Sequence, residues 1–456
     1  MNRTDELGTG NMKSLFIKLA VPAVVAQVVS LLYNIVDRIY IGHMADVGQS
    51  ALTGAGLFVP ILLLINAFAM LICSGGAPMM SIRLGEGQKE KAEKILGNSF
   101  SALLIISVIM TVVMYASAPQ LLSFFGASSN TMPYALPYAR IYILGTVFVT
   151  IALGMNLYIS MQGFAKESMM TNIIGAGINI ILDPILIFGL NMGVVGAAVA
   201  TVLSQAVSAV WVLLFLLSKR PSIHIKKEAL RIAPKIIFPC IGLGVSSFIM
   251  LSTESLLSIT FNHSLAMYGG DIAVGAMTII TSVSSLITMP LNGITQGAAP
   301  LLSYNFGAGS QDRVRKAFRM IFSTCVVYAA VGWVIIMLMP RTIASAFTAN
   351  AELLDYCVWA MRIYFACSFS IGFQISCQQS FVALGQAKIS LFMALLRKIV
   401  LLIPLILILP MFMKDQVFAV FLAEPLSDLI AASVTTGYFL THFSRILAKG
   451  PKPRKA

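Results

Sequence analysis

The chain has 456 residues, 58% of them hydrophobic and 11% charged, with a formal net charge of +13. A soluble domain carries about 25% charged residues, so a water-soluble globular fold is excluded, because this much apolar surface would associate. Nucleic-acid binding is excluded as the reason for the basic excess, because the positive charges are short clusters at the ends of long apolar runs.

Those runs number twelve: roughly 15–37, 51–74, 95–117, 136–160, 169–189, 193–217, 236–261, 272–298, 317–339, 355–380, 389–411 and 416–440. Each reaches the length of about 20 residues that a helix needs to cross about 30 Å of hydrocarbon. Stretches such as Ala102–Val113 show no alternation of polar and apolar residues, so a barrel strand is not the unit. In lipid every backbone donor has to be satisfied within its own segment, which makes these runs helices. The opening Met1–Lys13 is polar and the first run has no small-residue cleavage site, so no secretory signal is expected. The six cysteines lie within the predicted helices without a CxxC pair and read as small core residues.

With both termini on one side, 26 of the 31 Lys and Arg residues fall on that side. The positive-inside rule then places the termini in the cytoplasm of a bacterial inner membrane, with the chain crossing it many times.

The two halves repeat at an offset of 222 residues. Gly75-x-Ala77-Pro78 answers Gly297-x-Ala299-Pro300, Ser81-x-x-x-Gly85-x-Gly87 answers Ser303-x-x-x-Gly307-x-Gly309, and Arg140-Ile-Tyr142 answers Arg362-Ile-Tyr364. Gly163-x-Ala165-Lys166 answers Gly385-x-Ala387-Lys388, and with a five-residue slip Lys18, Pro22 and Asp37 answer Lys235, Pro239 and Glu254. Six helices per unit is an even number, so the copies share orientation. The expected fold is an all-α membrane protein of two six-helix bundles related by a pseudo-twofold axis along the membrane normal. The expected organisation is 1–218 as the first lobe, 219–235 as a basic cytoplasmic linker, 236–440 as the second lobe and 441–456 as a basic cytoplasmic tail, with a substrate path between the lobes.

Five acids fall inside apolar runs: Asp37, Asp183, Glu254, Glu424 and Asp428. A charge at mid-bilayer costs at least roughly 2.5–3.5 kcal/mol, so such a residue faces a cavity or a partner. Counted from the preceding inner-face lysine, Asp37, Asp183 and Glu254 lie about 25–29 Å along their helices, in the outer half of the bilayer. Asn179 is four residues before Asp183 on the same face, and Pro184 loosens the backbone after it. On the first helix Asn34 shares a face with Asp37, and Tyr33 is adjacent. The fourth and sixth helices offer Asn156 and Thr201. This cluster can carry a proton, or hold sodium through Asp37, Asn179, Asp183 and Thr201. Competing structural roles are a surface pairing of Asp37 with Arg38 and helix-packing hydrogen bonds for Asp183. On the twelfth helix Glu424 and Asp428 share a face and can pair with Arg397 or Lys398, which are expected near the inner end of the eleventh. No GxxxxGK[ST] loop, HExxH or paired DDxxD occurs, so neither ATP hydrolysis through a Walker site nor a membrane enzyme is expected. No cofactor is expected beyond the coupling ion, H⁺ or Na⁺.

The sequence resembles the multidrug and toxic compound extrusion (MATE) family, with the flavour of its bacterial MepA-like and DinF-like branches. The residues that carry the likeness are Pro22…Tyr33-Asn34-Ile-Val-Asp37…Ile41-Gly42, Arg83-Leu-Gly85-Glu-Gly87, Gln162-Gly163-x-Ala165-Lys166, Asn179-Ile-Ile-Leu-Asp183-Pro184 and Glu424-Pro425-x-x-Asp428. The resemblance implies antiport of organic, often cationic, compounds against protons or sodium. It implies an ion-linked acid at Asp37, a pair at Asn179 and Asp183 supported by Asn156 and Thr201, and a further acid at Glu254. Some members carry an acid in the tenth helix; Gln374, Gln378 and Gln379 stand there instead. Tyr33, Glu254, Gln374 and Gln378 are expected on the substrate cavity, with bends near Pro22 or Pro184. The expected partners are small drug-like molecules and lipids, with the chain acting as a monomer. The rival reading is a flippase for a lipid-linked precursor, which would need more cavity arginines and lysines than this chain offers.

Overall fold

The structure is a computed structural model that describes residues 3–42, 44, 53–348 and 350–451. Every regular element among them is helical. In chain order they are α1 (Arg3–Thr9), α2 (Met12–Gly42), α3 (Val59–Gly85), α4 (Lys89–Phe124), α5 (Met132–Leu144), α6 (Thr146–Met161), α7 (Ala165–Pro184), α8 (Gly193–Leu217), α9 (Pro234–Gly307), α10 (Gln311–Leu338), α11 (Pro340–Ser345), α12 (Ala351–Tyr364), α13 (Ile371–Ala383), α14 (Ala387–Leu395), α15 (Ile403–Phe412) and α16 (Gln416–Ala448).

Twelve crossings follow from these elements. Nine helices among the described residues are long and apolar enough to span a membrane, and α5–α6 and α12–α13 each form one further span, bent by 55° and 50°. One of the nine, α9, has 74 residues, over three times the length a crossing needs. It reverses at Gly270, whose φ of 65° is open to glycine and strained for other residues, and so supplies two spans. The spans agree with the apolar runs of the sequence. α16 continues as helix to Ala448, into the stretch expected to be a tail. The linker segment is irregular apart from a single 3₁₀ turn at Lys227–Ala229.

The repeat is visible in the packing between the halves. A Cβ on Gly85 would lie 2.0 Å from the Tyr304 carbonyl oxygen, and one on Gly307 would lie 1.9 Å from that of Ile82. Residues 82 and 304 are partners at the 222-residue offset, as are 85 and 307, so the two contacts are images of one another. Gly75 also meets the Cys240 and Gly244 backbone of the second half, and Gly297 meets Leu19 and Ala20 of the first. Only glycine lets helix backbones approach this closely. Counted along the helices, all of these contacts lie toward the face that carries both chain ends, and they form a seam there.

The linker is strapped to the first half at that face. Asn98 of α4 donates to the Ala229 carbonyl (3.1 Å) and accepts from the Ala233 amide (2.6 Å), and Ser101 donates to the Leu230 carbonyl at 2.7 Å. Lys226 pairs with the buried Glu93 at 2.7 Å, and the hydrogen bond to that carboxylate holds the lysine above its ordinary range. All six cysteines are free thiols, five of them buried.

Candidate ion-coupling and substrate site

The first-half site is built where α7 ends. Pro184 has no N–H to give, so the regular ladder fails there, and the chain continues as a π-helical turn over Ile185–Gly189. Such widened turns recur at functional sites. Asp183 and Asn179, one turn apart on the same face, are both fully buried. The Asn179 amide donates to Asp183 Oδ1 at 3.3 Å and to Thr201 Oγ1 of α8 at 3.4 Å. Thr201 in turn donates to the Ala197 carbonyl at 3.0 Å, which leaves its oxygen free to accept. Asn179 Oδ1 is buried without a protein partner. From α2, the Asp37 carboxyl is brought next to the Asp183 carboxyl. Tyr33, and Tyr138 and Tyr142 of α5, lie within electrostatic reach of Asp37.

Two carboxyl groups hydrogen-bond only if a proton lies between them, because two like charges so close repel strongly. The same oxygens, with Asn179 Oδ1 and Thr201 Oγ1, are the hard neutral and anionic donors that suit a monovalent cation. The side chains of Asn34 and Arg38 lie outside the described residues. Asn156 is not part of this cluster. It donates to the Ser168 carbonyl at 3.1 Å and accepts from Thr171 at 3.0 Å, about 20 Å of helix rise below Asp183. Pro22 sits within an uninterrupted α2.

The second half answers with a different chemistry. Its acids are matched by bases from the π-helical turn Leu396–Leu402. Arg397 holds Asp428 through two nitrogens, at 2.6 and 2.8 Å, and reaches Glu424 at 3.3 Å. Ser427 donates to the Arg397 carbonyl at 2.9 Å, pinning the same turn. Lys398 does not join them. Its ammonium pairs with Glu254 and donates to the Met250 carbonyl at 3.0 Å. The two bases also lie deeper than expected, about 15 Å of helix rise from the start of α14. Sequence reading missed the Glu254–Lys398 pair, because Glu254 mirrors Asp37 in the repeat and was grouped with it. The usable signal was that a lysine in mid-membrane requires an acid of its own.

Two adjoining cavities open above the glycine seam. One, of about 230 Å³, is lined from both halves, by Met70, Ser74 and Leu157 on one side and Met250, Glu254 and Asn292 on the other. The other, of about 320 Å³, lies within the second half and is lined by Glu254, Gln374, Gln378, Lys398 and Glu424 among others. Gln378 is held by Ser390, whose hydroxyl it reaches at 3.2 Å and whose carbonyl at 2.8 Å. Tyr33 lines neither of these cavities and stands instead at the carboxyl pair.

The MatE family model matches residues 22–185 and 246–408, one match in each half. The chain is similar to the multidrug export protein MepA of Staphylococcus haemolyticus, with 24% identity over 75% of each chain. It is 21% identical to the protein of that name from Staphylococcus aureus, over 90% of this chain and 91% of the relative. Among solved structures, a MATE protein in complex with MaD3S superposes with a TM-score of 0.90 at 23% identity, covering 97% of this chain and 99% of the other. An outward-facing conformation of a multidrug resistance MATE family transporter gives the same score at the same identity, over 97% and 98%. At that identity the structures speak for the fold alone. The two family matches cover most of the chain and coincide with its internal repeat, and the chain belongs to the MatE family.

Proposed function

We propose that this protein is an ion-coupled exporter of organic, often cationic, compounds that works by alternating access in a bacterial inner membrane, with both chain ends in the cytoplasm. The observation that carries the reading is the buried contact between Asp37 and Asp183, held by Asn179 and Thr201 on the side of the molecule away from the seam. With a proton or sodium ion aboard, the pair is neutralised and its helices settle together; without it, two anions repel. Loading and unloading of one ion therefore changes the packing of α2 against α7, which is the differential interaction that coupling requires. The backbone-to-backbone packing of the halves at the seam supports a state closed on that side. Among the described residues lining the two cavities, the bases Arg397 and Lys398 are both paired with acids, which speaks against a pyrophosphate-linked lipid.

The test is export of ethidium from proteoliposomes with pH and sodium gradients imposed one at a time. Export driven by either gradient in the parent chain and lost in Asp183→Asn is the expected result. An Asp183→Asn protein that still couples to the gradient would overturn the assignment.

A further inference from the structure

The short helix α1 and the turn after it lie across the seam, in contact with the first half, the linker and the second half. On the first-half side, Thr4 donates to the Gln162 carbonyl at 3.1 Å, and Leu7, 1% exposed, packs at Gly163. From the linker, Ser222 donates to the Thr4 hydroxyl at 2.8 Å, and the Ile223 amide donates to Gln162 Oε1 at 2.9 Å. On the second-half side, Gly8 abuts Tyr304, the residue that also contacts Gly85 in the seam. Asn305 donates to the Leu7 carbonyl at 3.0 Å. Arg313 donates to the carbonyls of Leu7 (3.0 Å) and Gly10 (2.9 Å), and its Nε donates to Asn305 Oδ1 at 2.9 Å.

The last carbonyls of a helix have no intrahelical donors and carry the negative end of its dipole, so a guanidinium is a fitting partner there. Arg313 and Asn305 satisfy those carbonyls from the second half, while Thr4 and Leu7 are anchored in the first half. Any motion that parts the halves at this face has to break one set of contacts or the other. We infer that residues 4–10 form a pin that locks the cytoplasmic end shut, and that Arg313 is the positioning residue that holds the pin across the seam. The inference rests on the alternating-access reading above. It makes the inward-opening step depend on residues far from both the ion site and the cavities.

The experiment reads the accessibility of the central cavity from the cytoplasm, independently of transport. Ser247→Cys lines the cavity between the halves, and Lys226→Cys marks the exposed terminal face. Inverted membrane vesicles are treated with a membrane-impermeant maleimide, and labelling is counted above the parent chain with its native cysteines. Lys226→Cys is expected to label in inverted vesicles, and Ser247→Cys weakly. Adding Arg313→Gln is expected to raise Ser247→Cys labelling about tenfold, the population change that loss of one charged hydrogen-bonded contact produces at the low end of its range. Arg313→Lys, which can still donate to the carbonyls, should stay near the parent, and Leu7→Asp, which removes the apolar side chain that packs at Gly163 of the first half, should label as Arg313→Gln does. Unchanged labelling in folded Arg313→Gln and Leu7→Asp proteins overturns the pin. If labelling responds as described while no gradient drives ethidium export in the parent, the pin stands and the proposed function falls.

Discussion

The two halves share a backbone plan and differ in how they treat buried charge. In the first half, Asp37 and Asp183 meet each other, with an amide and a hydroxyl as neighbours. In the second half, Glu254, Glu424 and Asp428 are each met by a base, Lys398 or Arg397. A buried acid with a base alongside is settled whatever the ion gradient. Asp183 has an amide and a second acid as its neighbours among the described residues, an arrangement that favours taking up a proton or a cation. The same helices occur twice, and under the function proposed above the pairing of buried acids makes the first copy the responsive one and the second a fixed frame.

The largest expected effect breaks the responsive copy. Asp183→Asn or Asp37→Asn should bring ethidium export in cells down to the level of cells without the protein, at normal expression. The next breaks the frame. Arg397→Met strands two acids in the interior, and removal of one partner of a buried pair costs about 3–5 kcal/mol. Thermal unfolding followed by size-exclusion chromatography should show a large drop in midpoint, and adding Glu424→Gln with Asp428→Asn should restore much of it. If Arg397→Met proves as stable as the parent, the contrast between the halves is lost. Lys398→Met should destabilise less, because Glu254 is half-exposed to the cavity. Adding Glu254→Gln should recover that loss, whereas Glu424→Gln should not.

Two smaller effects sharpen the comparison. Gly85→Ala and Gly307→Ala introduce a methyl where a carbonyl oxygen already stands, and overpacking of this kind costs about 1–3 kcal/mol. Because the contacts are mirror images, the two variants should lower the unfolding midpoint equally. Asn156→Ala should cost about 0.5–1.5 kcal/mol for its lost hydrogen bonds and leave gradient-coupled export intact, since Asn156 serves Ser168 and Thr171 rather than the two carboxyls.

The fold was legible because bilayer thickness imposes a length on each apolar run and because the repeated Gly, Pro and Ser positions mark one scaffold used twice. The Asn179–Asp183 pair was legible too, since a spacing of four on a helix fixes a shared face. The assignment of Asn156 was not, because helix number says nothing about depth, and Asn156 is pulled toward Ser168 at the far end of α7. Lys398 was misread for a related reason. In a regular helix, neighbouring Arg397 and Lys398 would diverge by about 100°, and the sequence gives no sign that a π-helical turn carries them, nor of which acid each one meets.

The glycine seam has a consequence for leakage. At Gly85 and Gly307 backbone lies on backbone, so that part of the closure has no side chain to swing aside and no charge to be screened, and concentrated electrolyte should loosen only the Arg313 contact beside it. It also follows that a single methyl at Gly85 or Gly307 would be felt first as a slow loss of the gradient itself, in vesicles carrying no drug at all.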